Sequence, residues 1–384
     1  MNIESLNWGD LTPEIFLAQY WQKKPLLIKQ AFSNFKDSIS ADELAGLAME
    51  AEIESRIVST NSKGDWQVDH GPFEDFTQYG ASDWTLLVQA VNNWSRPTHE
   101  LLAPFAFIPN WRIDDVMVSF STPNGGVGAH LDQYDVFIIQ GSGKRRWQIG
   151  APDNSLTTLL PHPDLKQVSS FQPVIDEITE AGDLLYIPPN HPHNGISIEN
   201  SVNFSIGFQA PSSQELWSSF ADKLIDKNLG EQRFNDPQRT VSRESFNITS
   251  HDKQQLKAFM LQQLDQEEFY EQFIGQYLTQ GHHALEILVP VNDIDESKLL
   301  DILSEPDILF MPVSGLKAAI INDAQATLFI NGDSFLLENQ TIALAQQLAQ
   351  QKPLTTSEVK TFNSCLKNTQ LLTSILNKGY WYIE

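Results

Sequence analysis

Between Gly128 and Gln140 the chain reads GAHLDQYDVFIIQ, with a histidine and an aspartate two residues apart at the head of an apolar run. On an extended strand, positions i and i+2 face the same side, so His130 and Asp132 converge. An imidazole nitrogen with a carboxylate oxygen suits a divalent first-row metal. Two ligands do not make a site, and the stretch AGDLLYIPPNHPHNG offers a third in His191 or His193. Both share strand parity, so spacing alone does not choose between them. Two histidines and one carboxylate form a facial triad that leaves coordination positions open, as in non-haem iron(II) oxygenases. An HxD tripeptide by itself is a weak signal. Followed about sixty residues later by G-D-x-x-x-I-P-P-x-x-x-H, it is strong. A buried Asp132 without a cation would cost several kcal/mol, roughly, or take up a proton.

The elements that must hold these residues are short strands. From Asp115 to Gly207, DVMVSFS, YDVFIIQ, RRWQIG, GDLLYIPP and NFSIGF alternate with Gly, Pro and Asn turn signals, the pattern of a sandwich or barrel. In the strand DDVMVSFS, Asp115, Met117, Ser119 and Ser121 fall on one face. In GKRRWQIG, Arg145 shares parity with the core-facing Trp147 and Ile149, while Lys144 and Arg146 face outward. Upstream, a helix is expected from Pro13 through Trp21, followed by a strand from Leu26 to Lys29. Downstream, Leu216, Phe220 and Leu224 lie four apart, and DKQQLKAFMLQQLDQEEFYEQFIGQYL reads as one long periodic helical segment. Residues 228–250 read as a polar linker. The last hundred residues hold the strand-like ALEILVPV, a hairpin in ATLFINGDSFLL turning at Asn331-Gly332, and two final helices. Helices with a small hairpin suggest a winged-helix arrangement.

Composition narrows the function classes. At 384 residues, 41% of them hydrophobic, the chain is expected to form two or three domains with real cores. The start MNIESLNWGD lacks the order of a secretory signal, and no apolar run is long enough to span a bilayer. Cys365 is the only cysteine, which excludes an internal disulfide and fits a cytoplasmic location. On its amphipathic helix it reads as core or incidental. The net charge of −24 disfavours nucleic acid and speeds encounter with basic partners. In the carboxy-terminal region acidic residues outnumber basic ones about two to one, against a DNA-reading role. His70, His99, His162, His251 and the pair His282-His283 stand in contexts that suggest surface or capping roles.

Taken together, WRIDDVMVSFSTPNGGVGAHLDQYDVFIIQGSGKRRWQIG, GDLLYIPPNHPHNG, NFSIGFQAP and the early FLAQYWQKKPLLI resemble the JmjC-type 2-oxoglutarate oxygenases. The likeness is to the bacterial ribosomal oxygenases, which hydroxylate an arginine of a large-subunit ribosomal protein. It implies an α+β protein: a double-stranded β-helix (a cupin-like jelly-roll barrel) over 1–210, a helical dimerisation region over 211–280, and a winged-helix-like domain over 281–384. It also implies iron(II), 2-oxoglutarate and dioxygen as the reacting set, and a homodimer. The metal ligands carried over are His130, Asp132 and His193. His191 departs from the family, where that position is usually apolar, and is open as an alternative or supporting ligand.

The resemblance assigns Arg145 to the far carboxylate of the co-substrate, which a guanidinium grips bidentately. Ser121 would donate to the same carboxylate. Asp115 and Tyr134 would receive a substrate guanidinium, one as counter-charge and the other as aromatic surface. The helical stripe of Leu256, Phe259, Met260 and Phe273 is expected either at the dimer interface or in intramolecular packing. Two other classes stay open from the sequence: a cupin-type metalloenzyme working without 2-oxoglutarate, and a non-catalytic module binding basic proteins. Within the oxygenase class, hydroxylation or demethylation of another basic protein is a further alternative.

Overall fold

The computed structural model describes residues 6–241, 244–305, 307–362 and 365–384. The first five residues of the amino-terminal stretch and two residues of the polar linker lie outside that set. The chain divides into two compact units: residues 1–210 with 281–288 and 312–316, and residues 211–280 with 289–311 and 317–384.

In chain order the first unit holds α1 (Pro13–Gln19), β1 (Leu26–Ile28), α2 (Ala41–Leu47), β2 (Ser55–Thr60), β3 (Trp66–His70), β4 (Trp84–Val88) and α3 (Arg96–His99). There follow β5 (Ile113–Ser121), β6 (Asp135–Gln140), β7 (Arg145–Gly150), β8 (Thr158–His162), β9 (Leu165–Val168), β10 (Pro173–Thr179), β11 (Leu184–Ile187), β12 (His193–Ser197) and β13 (Ser201–Phe208). An eight-stranded sheet runs β1-β11-β6-β13-β5-β4-β2-β3, a three-stranded sheet runs β10-β7-β12, and β8 pairs with β9 as a hairpin. All the pairings given are antiparallel. Two facing sheets of this kind make a barrel, one of the two forms that the strand spacing allowed, and the jelly roll that the resemblance implied.

Apolar side chains fill both sides of the larger sheet. One side buries an aromatic cluster in which Phe16, Phe105, Phe137, Tyr186 and Phe208 pack against the amino-terminal elements. Between the sheets Val136, Ile138, Trp147, Ile149, Leu185 and Ile187 form a smaller core. Burial on both faces explains why β6 and β11 read as continuous apolar runs instead of alternating. Helix α1 starts at Pro13 behind the cap Thr12 and ends at Gln19, two residues short of expectation. Gln22, with φ 56°, then turns the chain, and its side chain donates to the buried Asp135 at 2.9 Å.

The second unit holds α4 (Ser213–Asp226), α5 (Ser250–Leu261), α6 (Glu267–Thr279), α7 (Glu296–Ser304), β14 (Leu309–Pro312), β15 (Ala318–Ile321), β16 (Thr327–Ile330), β17 (Asp333–Leu336), α8 (Ile342–Ala349), β18 (Leu354–Thr355), α9 (Thr356–Phe362), α10 (Leu366–Asn377) and β19 (Trp381–Ile383). The single long helix expected over 252–278 is two helices. Gln266, at φ −81° and ψ 87°, breaks the run, and Glu267-Glu268 open α6. Acidic residues favour a helix start, a signal that hydrophobic periodicity does not register. The expected stripe divides with it: Leu256 and Met260 are exposed, whereas Phe273 is buried against Phe220. ALEILVPV forms no strand, since no sheet edge pairs with it. The hairpin is as expected: β16 and β17 turn through Asn331 (φ 48°) and Gly332 (φ 81°), the two positive φ values of a type I′ turn. Among the described residues no helix is long and apolar enough to cross a membrane.

Candidate metal centre

His130 and Asp132 precede β6 and do not lie on it. The His130 N–H donates to the His193 carbonyl and the His193 N–H to the His130 carbonyl, both at 3.0 Å, as an isolated antiparallel bridge. The Asp132 carbonyl accepts from Asn190 N at 2.8 Å. The segment 130–132 is thus stitched directly to the chain that leaves β11 through Pro188 and Pro189, not to a neighbour in the large sheet. His130 and Asp132 converge as parity predicts, but ahead of β6 and not along a strand.

The side chains meet. The imidazole centroids of His130 and His193 are 4.2 Å apart. Asp132 Oδ1 lies 3.9 Å from His130 Nε2, and its Oδ2 lies 3.5 Å from His193 Nε2. His130 Nδ1 bonds the Gly128 carbonyl at 2.9 Å, and His193 Nδ1 bonds the His191 carbonyl at 3.0 Å. A carbonyl only accepts, so each Nδ1 carries the proton and each Nε2 lone pair is left for a cation. Burial, then the neighbouring His130, pull the His193 pKa down to about 4, which keeps it neutral as a ligand must be. The three groups therefore fit a divalent metal on donor chemistry, tautomer and spacing. His191 is buried and turned away, its Nδ1 on the Pro189 carbonyl at 3.1 Å. Its contribution to the trio is the backbone carbonyl that orients His193.

A cavity of about 320 Å³ opens beside the trio, lined by Thr85, Leu87, Met117, Ser119, Tyr134, Val136, Ile138, Arg145 and others. Arg145 projects inward from β7 and is 5% exposed. Its Nη2 donates to Ser121 Oγ at 2.5 Å and Ser201 Oγ at 3.3 Å, and its Nη1 to Ser119 Oγ at 3.4 Å. These partners are neutral, and the buried Nε has none. Burial pulls the guanidinium pKa down to about 9, still cationic at neutral pH. A buried cation surrounded by hydroxyls and the Trp147 ring, with no carboxylate partner among the described residues, fits a site for an anion. Ser121 is fully buried behind Arg145 and bonded to Thr85 Oγ1 at 2.8 Å. The cavity wall itself carries Thr85 and Ser119.

Asp115 and Tyr134 line the same cavity. Asp115 is 7% exposed and accepts from the Ala90 N–H at 2.8 Å, where Ala90 takes a left-handed φ of 49°. Burial, then Asp132, Asp115 and Asp114, push the Tyr134 hydroxyl pKa up, so it stays a protonated donor. His283 Nε2 stands 3.9 Å from Asp115 Oδ2, and His282 Nδ1 stands 3.6 Å from Asp114 Oδ1. The sequence had suggested surface or capping roles for that histidine pair.

Comparison with known proteins completes the picture. Residues 100–216 match the JmjC domain family, and residues 261–382 match the ROXA-like winged helix family. Over 383 residues the chain is 42% identical to the ribosomal protein uL16 3-hydroxylase of Escherichia coli K12, covering 99% of this chain and 98% of the relative. The chain belongs to the ribosomal oxygenase family. A probable ribosomal oxygenase of Haemophilus influenzae is 32% identical over 304 residues, 77% of this chain and 75% of the relative. Among solved structures, an X-ray structure of E. coli YcfD superposes with TM-score 0.91 at 41% identity, covering 98% of this chain and 99% of that one. The E. coli ribosomal oxygenase in complex with cobalt and 2-oxoglutarate superposes with TM-score 0.88 at 40% identity, covering 99% of each chain. The jelly-roll and winged-helix architecture expected from the sequence is that of the family. Arg56, Gln89, Asp164, Lys166 and Gln167 also line this cavity and escaped the sequence reading. They come from β2, the residue after β4, and the β8–β9 hairpin, where no motif marks them.

Proposed function

We propose that the chain is an iron(II)- and 2-oxoglutarate-dependent oxygenase that hydroxylates an arginine side chain of a basic large-subunit ribosomal protein, with dioxygen as the second co-substrate. One observation carries this reading: the cavity that holds His130, Asp132 and His193 also holds Arg145, a buried cation with no carboxylate partner among the described residues. A cupin-type enzyme without 2-oxoglutarate would leave that cation idle. A relative named for uL16 hydroxylation and a family structure holding cobalt and 2-oxoglutarate support the same reading.

His130, Asp132 and His193 would hold the metal, which when bound supplies the activation of dioxygen while 2-oxoglutarate is converted to succinate and carbon dioxide. The chain's own work is orientation. Arg145 takes the far carboxylate of 2-oxoglutarate, and Ser121, with Ser201, fixes the guanidinium from behind. Ser119 and Thr85 offer hydroxyls on the cavity wall. Asp115, pinned by Ala90, meets the substrate guanidinium, and Tyr134 covers its stem. Leu87, Met117, Val136 and Ile138 keep water from the reacting carbon.

Residues 211–280 form the dimerisation region in this reading, with Trp217, Ile225, Leu256 and Met260 exposed on its helices. A single symmetric dimer by light scattering would support it, and a monomer at all concentrations would remove it. Residues 281–384 act as the winged-helix domain without binding nucleic acid directly, in keeping with the charge of −24, and the protein works in the cytoplasm.

The test is intact-mass spectrometry of the basic large-subunit ribosomal protein after incubation with the chain, iron(II) and 2-oxoglutarate in air, beside an Asp132→Ala control. One added oxygen on an arginine peptide, absent from the control, is the expected result. No mass change with 2-oxoglutarate still consumed would keep the oxygenase and overturn the substrate. No consumption at all would hand the site to the cupin reading.

A further inference from the structure

Gln167 stands on β9, 8% exposed, where it lines the cavity beside the metal trio. Its Nε2 donates to the Val127 carbonyl at 2.8 Å. Against the same amide lies Gly128, at φ +81°, so close that a Cβ there would sit 2.0 Å from Gln167 Nε2. One residue along β9, Val168 N donates to the Ala129 carbonyl at 2.8 Å. The β8–β9 hairpin therefore grips the whole lead-in to the ligands, 127–129, from one side. Gly128 in turn supplies the carbonyl that holds His130 Nδ1 at 2.9 Å.

From this chain of contacts we infer that Gln167 is a positioning residue for the metal centre, acting through the Val127-Gly128 peptide on the His130 ring. The inference rests on the metal-binding reading of His130, Asp132 and His193. The sequence offers no hint of it, because the two contacting segments are nearly forty residues apart and Gln167 belongs to no motif. Two physical constraints meet at Gly128. A positive φ disfavours any side chain, and the Gln167 amide occupies the space one would need. The donated hydrogen bond fixes the Val127-Gly128 peptide plane, the Gly128 backbone joins it to the next plane, and the Gly128 carbonyl of that plane holds the ring. Outer partners of metal-binding histidines act in this way, orienting the ring and setting its tautomer.

The experiment titrates cobalt(II) alone into the full chain, following the visible absorption bands that report coordination geometry. Gln167→Met keeps the length and volume of the side chain but has no donor. The expected result is a dissociation constant for cobalt(II) weakened about tenfold, with altered absorption bands, and an unchanged melting midpoint for the metal-free protein. Gln167→Ala is the second variant; its truncation opens onto the cavity, and it is expected to show the same loss should the methionine fail to fold. Wild-type affinity and an unchanged spectrum in both variants would reduce Gln167 to a packing residue and overturn the inference alone. No cobalt(II) binding by the wild-type chain would overturn the metal reading and this inference with it.

Discussion

Two neighbouring arginines on β7 meet opposite surroundings. Arg146 faces outward and makes two 2.6 Å hydrogen bonds to the two carboxylate oxygens of Asp176 on β10. Arg145, one residue earlier, faces the barrel interior, where it donates to serine hydroxyls and lies 5.9 Å from the Trp147 ring centroid, with no carboxylate partner among the described residues. The outward pair is solvated and satisfied, so it has little left to offer a ligand. The inward guanidinium has lost its water without gaining an anion, and burial lowers its pKa to about 9. A third side chain sharpens the contrast. His99 is also desolvated, and burial, then Arg96, bring its pKa down to about 4. Histidine can answer burial by giving up its proton; arginine in practice cannot, so a buried arginine must be met by a negative charge. The two arginines thus differ in whether a carboxylate among the described residues meets the guanidinium.

The largest test of this contrast is Arg145→Ala beside Arg146→Ala. The first is expected to lower kcat/KM for 2-oxoglutarate by roughly 30-fold or more, corresponding to about 2–5 kcal/mol for one partner of a buried charge pair. Cobalt(II) binding should survive. Arg146→Ala should leave turnover and melting midpoint unchanged, and equal losses in both variants would dissolve the comparison.

Next in size is the pH dependence from His99. Its folded pKa of about 4 lies below the ordinary 6.5, so the folded state prefers the neutral ring. Stability is fully present above pH 6.5 and falls as the pH drops toward 4, by about 2–4 kcal/mol in all. Protonation at Nδ1 would also break the bond that it accepts from Gly315 N at 3.3 Å. Urea unfolding of wild type and His99→Gln across that window checks this, since the variant should lose most of the slope.

A smaller effect is expected from Ser121→Ala, which removes the 2.5 Å partner of Arg145 Nη2. Its KM for 2-oxoglutarate should rise about tenfold, near the lower end for one charge-assisted hydrogen bond. No change would mean that Ser201 and Ser119 hold the guanidinium unaided. Smallest of all, association with the basic substrate should slow as salt rises, because the net charge of −24 acts by steering. Stopped-flow rates at two ionic strengths would measure it.

The legible parts of this protein share a physical character. The strands carrying Asp115, Arg145 and Tyr186, and the Asn331-Gly332 hairpin, follow from alternation and turn chemistry that act over a few residues. The parity of Arg145 with Trp147 and Ile149 read correctly because side chains on a strand must alternate. Where the reading departed from the structure, the cause lay beyond the window. ALEILVPV has the apolar, β-branched composition of a strand yet finds no partner edge. The helix over 252–278 keeps its periodicity straight through the break before Glu267.

By itself the sequence determined the ligand types, the inward arginine, the strand-rich core and the family. Parity left His191 and His193 equal and the resemblance chose His193; the tertiary structure sets that residue against His130 through a two-bond bridge between segments about sixty residues apart, while His191 lends its carbonyl. The tertiary structure also places Ser121 behind the guanidinium and Gln167 against Gly128. The reason is one of range: parity and turn preference are local energies written residue by residue, whereas which carbonyl meets which ring nitrogen is set only when distant strands close into a barrel.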